Sequence, residues 1–190
     1  MSSVFISGGC KNGKSYFAQK VAQDLARESG ENLYYIATMI PHDEEDHARI
    51  RRHLSEREGW GFETIEQGLD LMAIRDMDWV NMKGSFLLDS VTAIMENEMF
   101  RRIDRDGEVE YFVDENAGPR VRDDMVNFER AVREAGGSVV FVSDGIYGDQ
   151  GEYSQMTEDY RKALAGADLA LAQVCDQVIE VSYGNMEYWK

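Results

Sequence analysis

The chain has 190 residues, 43% of them hydrophobic, and a formal net charge of -16 at pH 7. So acidic a surface repels a phosphate backbone and disfavours general nucleic-acid binding. No run of about 18 apolar residues predicts a transmembrane segment. The N-terminus lacks a basic stretch followed by a long apolar one, so we expect no secretory signal and a cytoplasmic protein. The length favours one domain spanning residues 1–190, and the two isolated cysteines predict neither a disulfide framework nor a zinc site.

Apolar runs that end in glycine or polar residues alternate with segments of helical periodicity along the whole chain. The predicted elements, in chain order, are strand 4–7, helix 14–29, strand 33–38, helix 42–57, a short strand 62–65, strand 85–89, helix 91–102, a surface excursion 103–117 that contains Gly107, helix 119–135, strand 138–143, helix 155–173, strand 177–182 and a terminal antiparallel strand 186–189. Alternating strands and helices predict an α/β fold, a mostly parallel sheet covered on both faces.

A phosphate-binding loop is predicted immediately after the first strand. The loop sequence is Gly8-Gly9-Cys10-Lys11-Asn12-Gly13-Lys14-Ser15, a full match to G-x-x-x-x-G-K-[ST] between a strand and a helix. Its glycines let the backbone N–H groups turn inward toward phosphate oxygens at a helix N-terminus. Lys14 is expected to reach the β and γ phosphates of ATP or GTP, and Ser15 to ligate Mg²⁺.

Polar residues follow several predicted strands, where ligands of parallel sheets bind. They are Ser7, Thr38, Asp89 and Ser143. Asp89 ends the apolar run Phe86-Leu87-Leu88, which is the Walker-B arrangement, and we predict that it holds Mg²⁺ directly or through water. The motif predicts a P-loop NTPase of the RecA-like type, a three-layer fold.

Three histidines, His42, His47 and His53, lie on or beside the predicted helix 42–57. On periodicity alone they are best interpreted as exposed polar residues of an acidic helix. His47 and Asp43 are four residues apart, but nothing else in the sequence supports a metal site there.

Several motifs together resemble the adenosylcobinamide kinase / adenosylcobinamide-phosphate guanylyltransferase family of cobalamin biosynthesis. These are Gly8-Gly9-x-x-x-Gly13-Lys14-Ser15, Tyr35-Ile36-Ala37-Thr38, Asp43-x-Glu45, Arg49-Ile50-x-x-His53, Phe62-x-Thr64-x-Glu66, Leu87-Leu88-Asp89-Ser90-Val91-Thr92 with Asn97, and Asp176-Gln177-Val178-Ile179-Glu180-Val181-Ser182-x-Gly184. The similarity spans nearly the whole chain, and Arg-Ile-x-x-His is its most discriminating part.

The resemblance implies two activities. The first transfers the γ-phosphate of ATP or GTP to a hydroxyl of adenosylcobinamide, a corrinoid. The second transfers GMP from GTP to the resulting phosphate through a guanylylated histidine, which His53 matches. Arg51, Arg52 and Arg57 could hold nucleotide oxygens, although Arg51 and Arg52 could equally pair with the upstream acids.

Two further positions match the family near the nucleotide, namely Thr38 and Glu66. The resemblance also implies a homotrimer, in which the histidine helix works near a neighbouring loop.

One segment departs from the family pattern. After its strongest late strand the family carries Asn-Glu-Val-Gly and a proline-containing turn, whereas this chain has Ser143-Asp144-Gly145-Ile146-Tyr147-Gly148. Asp144 could replace the acidic group, but the amide and the proline are absent. Two alternatives therefore stay open: a P-loop kinase of another small molecule, and a nucleotide-binding regulatory relative without the cobinamide site.

Overall fold

The computed structural model describes residues 1–105, 108–147 and 151–190. Two glycines named above, Gly107 and Gly148, lie outside these ranges. The strands are β1 Ser3–Gly8, β2 Leu33–Ala37, β3 Glu63–Glu66, β4 Ser85–Asp89, β5 Phe100–Arg105, β6 Glu108–Val113, β7 Ser138–Asp144, β8 Gln177–Ser182 and β9 Asn185–Tyr188. The helices are α1 Lys14–Ser29, α2 Glu44–Glu56, α3 Val91–Met99, α4 Ala117–Ala135 and α5 Gln155–Val174, with a 3-10 helix at Leu71–Asp76.

The main sheet has the strand order β3-β2-β4-β7-β1-β8-β9. Six of its strands are parallel, and β9 is antiparallel to β8, as the terminal residues predicted. Parallel pairing places the C-terminal ends of these six strands at one edge of the sheet. The α/β fold with a mostly parallel sheet is therefore confirmed.

Helices cover both faces of the sheet, because successive side chains of each strand point to opposite sides. On β4, Phe86 and Leu88 pack into the core formed with α3, α4 and α5. Leu87 points to the opposite core, where Ala18 and Ala22 of α1 pack. The predicted three layers are thus present, and the strands are apolar on both faces, as a doubly covered sheet requires.

The prediction was wrong between α3 and α4. The helix predicted for 91–102 ends at Met99, and the residues predicted as a surface excursion form an antiparallel hairpin of β5 and β6. Its strands pair from Phe100 with Val113 to Arg105 with Glu108. Strand pairing satisfies backbone groups that a charged, irregular excursion would leave to water. The 3-10 helix Leu71–Asp76, which buries Leu71 and Ile74, was not predicted.

Across the parts of the chain that the structure describes, no helix combines the length and the apolar character needed to cross a membrane.

Candidate nucleotide-binding site

The polar residues predicted at strand ends meet along the C-terminal edge of the sheet. In the parallel register, Gly8 of β1 lies beside Asp144 of β7, and Ala37 of β2 lies beside Asp89 of β4. This edge of the sheet therefore carries the glycine-rich loop, the carboxylates of Asp144 and Asp89, and Thr38 along one crevice. This is where open parallel sheets bind ligands.

Two glycines give the phosphate loop its shape. A Cβ at Gly8 would collide with the carbonyl oxygen of Val181 on the neighbouring strand β8. Gly13, at the N-cap of α1, has φ +93°, a left-handed conformation that side chains disfavour. The Asn12 side-chain amide also donates to the Val181 carbonyl, so the loop is tied to β8. Of the remaining loop residues, Gly9, Cys10 and Lys11 are exposed and Ser15 is half-buried.

The Lys14 side chain is enclosed by this loop and by β7. The residue is only 6% exposed, and its Nζ donates to the Gly9 carbonyl at 3.2 Å. The same Nζ lies 2.5 Å from Asp144 Oδ1. An ammonium group is expensive to bury unless it is paired, and Asp144 supplies the counter-charge. The sequence analysis treated Asp144 only as a possible replacement for a family acid, whereas the structure makes it the direct partner of the P-loop lysine.

The Asp89 carboxylate is held from the opposite side. The Tyr35 hydroxyl donates to Asp89 Oδ2 at 2.9 Å. Burial raises the pKa of Tyr35 well above its ordinary value, and the negative charge of Asp89 raises it further. The phenol therefore remains a proton donor, and the bond uses one of the two carboxylate oxygens. The second oxygen, Oδ1, is the one that can serve as a metal ligand.

Arg57 reaches this cluster from beyond the end of α2. Its guanidinium carbon lies 3.5 Å from the centre of the Tyr35 ring, and the residue is 8% exposed. A cation over a phenol ring is attracted by the negative ring face. The predicted nucleotide-binding arginine thus packs on the tyrosine that holds Asp89.

Thr38 is fully buried at the end of β2 and bonds to the turn after β4. Its Oγ1 donates to the Ser90 carbonyl at 3.0 Å and accepts from the Ser90 N–H at 2.7 Å. The Asn97 amide of α3 donates to the carbonyls of Thr38 and Gly68. These bonds fix the two strand ends relative to each other, so the structure gives Thr38 a positioning contact within the protein.

Helix α2 lies on the surface. It starts at the cap residue Asp43, whose side chain accepts from the Asp46 N–H at 2.8 Å. Among its described side chains none is buried; His47 is exposed and His53 is half-buried. Beyond the helix, the chain returns to α1, where Trp60 packs edge-on against Tyr16 with ring centres 5.6 Å apart.

Glu66 is exposed at the end of β3, the edge strand. Three strands separate β3 from β1, a distance of roughly 19 Å at the usual strand spacing. The structure therefore brings Lys14 together with Asp144, and Arg57 with Tyr35 and Asp89, while Glu66 lies far along the crevice from the P-loop.

A divalent ion at this site would have few protein ligands. The described residues contain no cluster of three or more histidine, cysteine or carboxylate side chains suited to a metal. Mg²⁺ characteristically uses one or two protein ligands together with substrate phosphates and waters. Ser15 and Asp89 fit that pattern, in which the ion arrives with the nucleotide.

A further acidic group on α5, Asp168, lies near the end of β7. The Tyr147 hydroxyl donates to Asp168 Oδ2 at 3.0 Å. Burial raises the pKa of Asp168 to about 6 and the charge of Asp144 raises it too, against the hydrogen bond from Tyr147, which lowers it. Sequence reasoning missed Asp168, because a single acid within a helix carries no motif.

A cavity of about 730 Å³ opens between Asn97 of α3 and the β5–β6 hairpin. Its walls combine apolar and cationic side chains, among them Ile40, Phe100, Arg101, Phe112 and Arg120. Both arginines pair with the buried carboxylate of Glu98, at 2.6 and 2.9 Å. The cavity therefore combines an ion-paired polar end with an apolar wall.

A complete phosphate loop around a buried lysine, at the C-terminal edge of a parallel sheet, defines a P-loop nucleotide-binding protein. A model of the cobinamide kinase / cobinamide phosphate guanyltransferase family matches residues 4–187 of the sequence. The chain therefore belongs to this family of bifunctional transferases, and the predicted class of kinase and nucleotidyltransferase is confirmed.

Among solved structures, a KaiC-like protein from the hyperthermophilic archaeon Pyrococcus horikoshii is similar over 98% of this chain and 74% of that chain. The two sequences are 15% identical and the TM-score is 0.48. No curated protein sequence gives a significant match.

Proposed function

We propose that the protein phosphorylates adenosylcobinamide with ATP or GTP and then transfers GMP from GTP to the phosphate, giving adenosylcobinamide-GDP. The observation that carries the proposal is the enclosed Lys14 of a complete P-loop in a chain that matches the family over residues 4–187. Residues 1–190 act as one nucleotide-binding unit, and the subunits assemble as a homo-oligomer.

In the kinase step, the backbone N–H groups of residues 8–15 and the Lys14 ammonium hold the β and γ phosphates. Because this step has little covalent chemistry, positioning and charge neutralisation account for most of the acceleration. Ser15 and Asp89 hold Mg²⁺, which supplies further neutralisation of the phosphate charge when bound. Tyr35 keeps Asp89 oriented through its 2.9 Å hydrogen bond.

In the second step, a nitrogen of the His53 imidazole attacks the α-phosphorus of GTP. A nitrogen–phosphorus bond forms, the bond to the bridging oxygen breaks, and pyrophosphate leaves with its electron pair. A phosphate oxygen of adenosylcobinamide phosphate then attacks the same phosphorus and releases the imidazole. Imidazole suits this role because it is nucleophilic near neutral pH and also a good leaving group.

Labelling with α-³²P-GTP tests this proposal directly. We expect the wild-type protein to acquire a label that is lost in acid and retained in base, as a phosphoramidate requires. His53→Ala should remove the label, whereas His47→Ala, an exposed histidine on the same helix, should keep it. A wild-type protein without label would exclude the guanylyl-histidine and leave a P-loop kinase as the better assignment.

The corrinoid acceptor occupies the cavity beside the β5–β6 hairpin in this proposal. Phe112 lines it and is 55% exposed, so its removal should not disturb folding. We expect Phe112→Ala to raise KM for adenosylcobinamide about fivefold, since an aromatic contact contributes on the order of 1 kcal/mol. KM for the nucleotide should stay unchanged. Equal changes in both constants would place the acceptor elsewhere.

A further inference from the structure

Among the described residues, the carboxylate in contact with the P-loop lysine is that of Asp144, which follows Ser143 in the segment that departs from the family pattern. Asp144 Oδ1 lies 2.5 Å from Lys14 Nζ, on the ammonium group that the P-loop mechanism assigns to the β and γ phosphates. A carboxylate oxygen therefore sits where a phosphate oxygen must bind. A triphosphate and Asp144 compete for the same cation.

The main chain around Asp144 is held firmly. Its N–H donates to Thr92 Oγ1 at 2.9 Å, and the next N–H, of Gly145, donates to the Gly8 carbonyl at 2.9 Å. Parallel pairing of β7 with β1 fixes it from the other direction, with Asp144 opposite Gly8. Because Lys14 has four rotatable side-chain bonds and Asp144 two, the lysine is the partner that changes position when phosphate enters.

We propose that Asp144 is a catalytic residue of the phosphoryl-transfer step. It neutralises Lys14 before the nucleotide binds, gives the lysine up to the γ-phosphate, and then accepts the proton of the acceptor hydroxyl. This role rests on the proposed kinase function. It requires only that the acceptor oxygen approach the γ-phosphorus from the side on which Asp144 stands.

The step balances as an in-line displacement. The acceptor oxygen forms a bond to the γ-phosphorus, the bond between that phosphorus and the β,γ-bridging oxygen breaks, and the nucleoside diphosphate leaves with the electron pair. The hydroxyl proton passes to the Asp144 carboxylate and later to water. A carboxylate that is one-third exposed, beside a water-accessible crevice, can release that proton after each turnover.

The surrounding groups favour this assignment over the neighbouring acid. Asp168 already accepts the Tyr147 hydroxyl, and the Tyr160 hydroxyl is bonded to the Thr92 carbonyl. Asp89, on the far side of β7, is bonded to Tyr35. Of these described acidic groups, Asp144 is the one in direct contact with the phosphate-binding lysine.

Binding and turnover should respond to Asp144→Asn in opposite directions. Removing the carboxylate frees Lys14 and removes repulsion of the γ-phosphate, so MgATP should bind about tenfold more tightly. Loss of the proton acceptor should lower kcat of the kinase step on the order of 10²-fold. Asp144→Glu keeps the carboxylate and should recover part of kcat. A merely structural role would weaken both quantities.

The matched control is Asp24→Asn, which removes the same charge from an exposed position on α1. It should change neither MgATP affinity, followed by titration calorimetry, nor kcat. Weaker MgATP binding by Asp144→Asn would identify a metal ligand and overturn the inference, as would an unchanged kcat in that variant. A wild-type protein without adenosylcobinamide kinase activity would instead overturn the proposed function itself.

Discussion

The P-loop and the histidine helix differ in how the protein holds them. Lys14 is enclosed by its own loop, by β7 and by the salt bridge to Asp144. His53 lies on α2, none of whose described side chains is buried. That helix is anchored chiefly beyond its end, where Arg57 packs on Tyr35 and Trp60 packs on Tyr16.

This difference separates the two proposed chemistries. A phosphate loop stabilises phosphate charge through backbone N–H donors that are held in place, and such preorganised donors need a rigid frame. A nucleophile that first takes up GMP and then delivers it must meet two substrates in turn, and a lightly packed helix can change position at low cost. The contrast predicts that mutations in the phosphate loop affect phosphoryl transfer. Mutations that follow the C-terminal end of α2 should affect mainly the guanylyl transfer.

Lys14→Met should have the largest effect. We expect kcat/KM of the kinase step to fall by about 10²- to 10³-fold, because the transition-state charge loses a buried cationic donor. Lys20→Met is the control, since Lys20 is exposed on the same helix. Kinase assays with adenosylcobinamide measure both variants. If the Lys14 variant kept more than a tenth of the activity, the loop would not be the catalytic centre.

Asp168→Asn tests how a partly buried acid that bonds Tyr147, beyond the end of β7, affects stability. The folded-state pKa of about 6 lies above the ordinary value of 3.8, so the folded state binds the proton more tightly than the unfolded chain. Its contribution to stability is therefore fully present below pH 3.8 and is lost as the pH rises through 6. After allowing for partial exposure, the variant should be more stable at pH 8 by about 1–2 kcal/mol.

Urea unfolding at pH 4 and pH 8 measures this effect. The advantage of the variant should shrink toward pH 4, where the wild-type carboxyl is largely protonated. Asp159→Asn, at an exposed position on the same helix, should show no such pH dependence. An advantage of equal size at both pH values would mean that the amide stabilises the fold by packing and that protonation of Asp168 plays no part.

The strand–loop–helix form of the P-loop was predicted well, because the backbone requirements at its glycines restrict which residues can stand there. Gly8 and Gly13 are required by a close contact and a left-handed turn, and such requirements leave a motif. The strands were predicted equally well, since burial on both faces produces continuous apolar runs. The Lys14–Asp144 contact could not be predicted in the same way, because it depends on β7 lying next to β1 in the sheet.

The hairpin of β5 and β6 was missed although a local signal existed. Asp106-Gly107 is a dipeptide that favours two-residue hairpin turns, and it precedes a run in which polar and apolar residues alternate, Glu108-Val109-Glu110-Tyr111. The charges on both sides of this dipeptide hid the strand pattern and favoured a loop. Arg57 shows a different limit: its charge predicts a nucleotide contact, but its packing against Tyr35 could not be predicted, because it depends on how the chain folds back after α2.

Tyr35→Phe tests the residue that connects the two regions, since Tyr35 contacts both Arg57 beyond α2 and Asp89 at the nucleotide site. The substitution keeps the ring beneath Arg57 and removes the hydroxyl that holds Asp89. We expect the Mg²⁺ concentration for half-maximal kinase activity to rise about tenfold, because partners of metal ligands orient them. Tyr34→Phe is the control, since its hydroxyl bonds the Asn81 N–H instead. An unchanged Mg²⁺ requirement would show that Asp89 does not depend on Tyr35.

Arg57→Met should have the smallest effect on activity and the most selective one. It removes a cation from the Tyr35 ring, an interaction that contributes about 2 kcal/mol at a desolvated site, while the methionine side chain fills much of the same space. We expect a loss of that size in the free energy of unfolding. The rate of His53 labelling by α-³²P-GTP should fall about threefold or more, because α2 loses part of the anchor that follows it.

The control is Arg75→Met, which removes one positive charge from an exposed position. It should leave the rate of His53 labelling unchanged. The informative quantity is the ratio of the two activities. If α2 depends on Arg57 for its position, guanylylation must fall further than phosphorylation. A larger fall in phosphorylation would mean that Arg57 acts through Tyr35 and Asp89 on the metal, and the anchoring role assigned to it would be wrong.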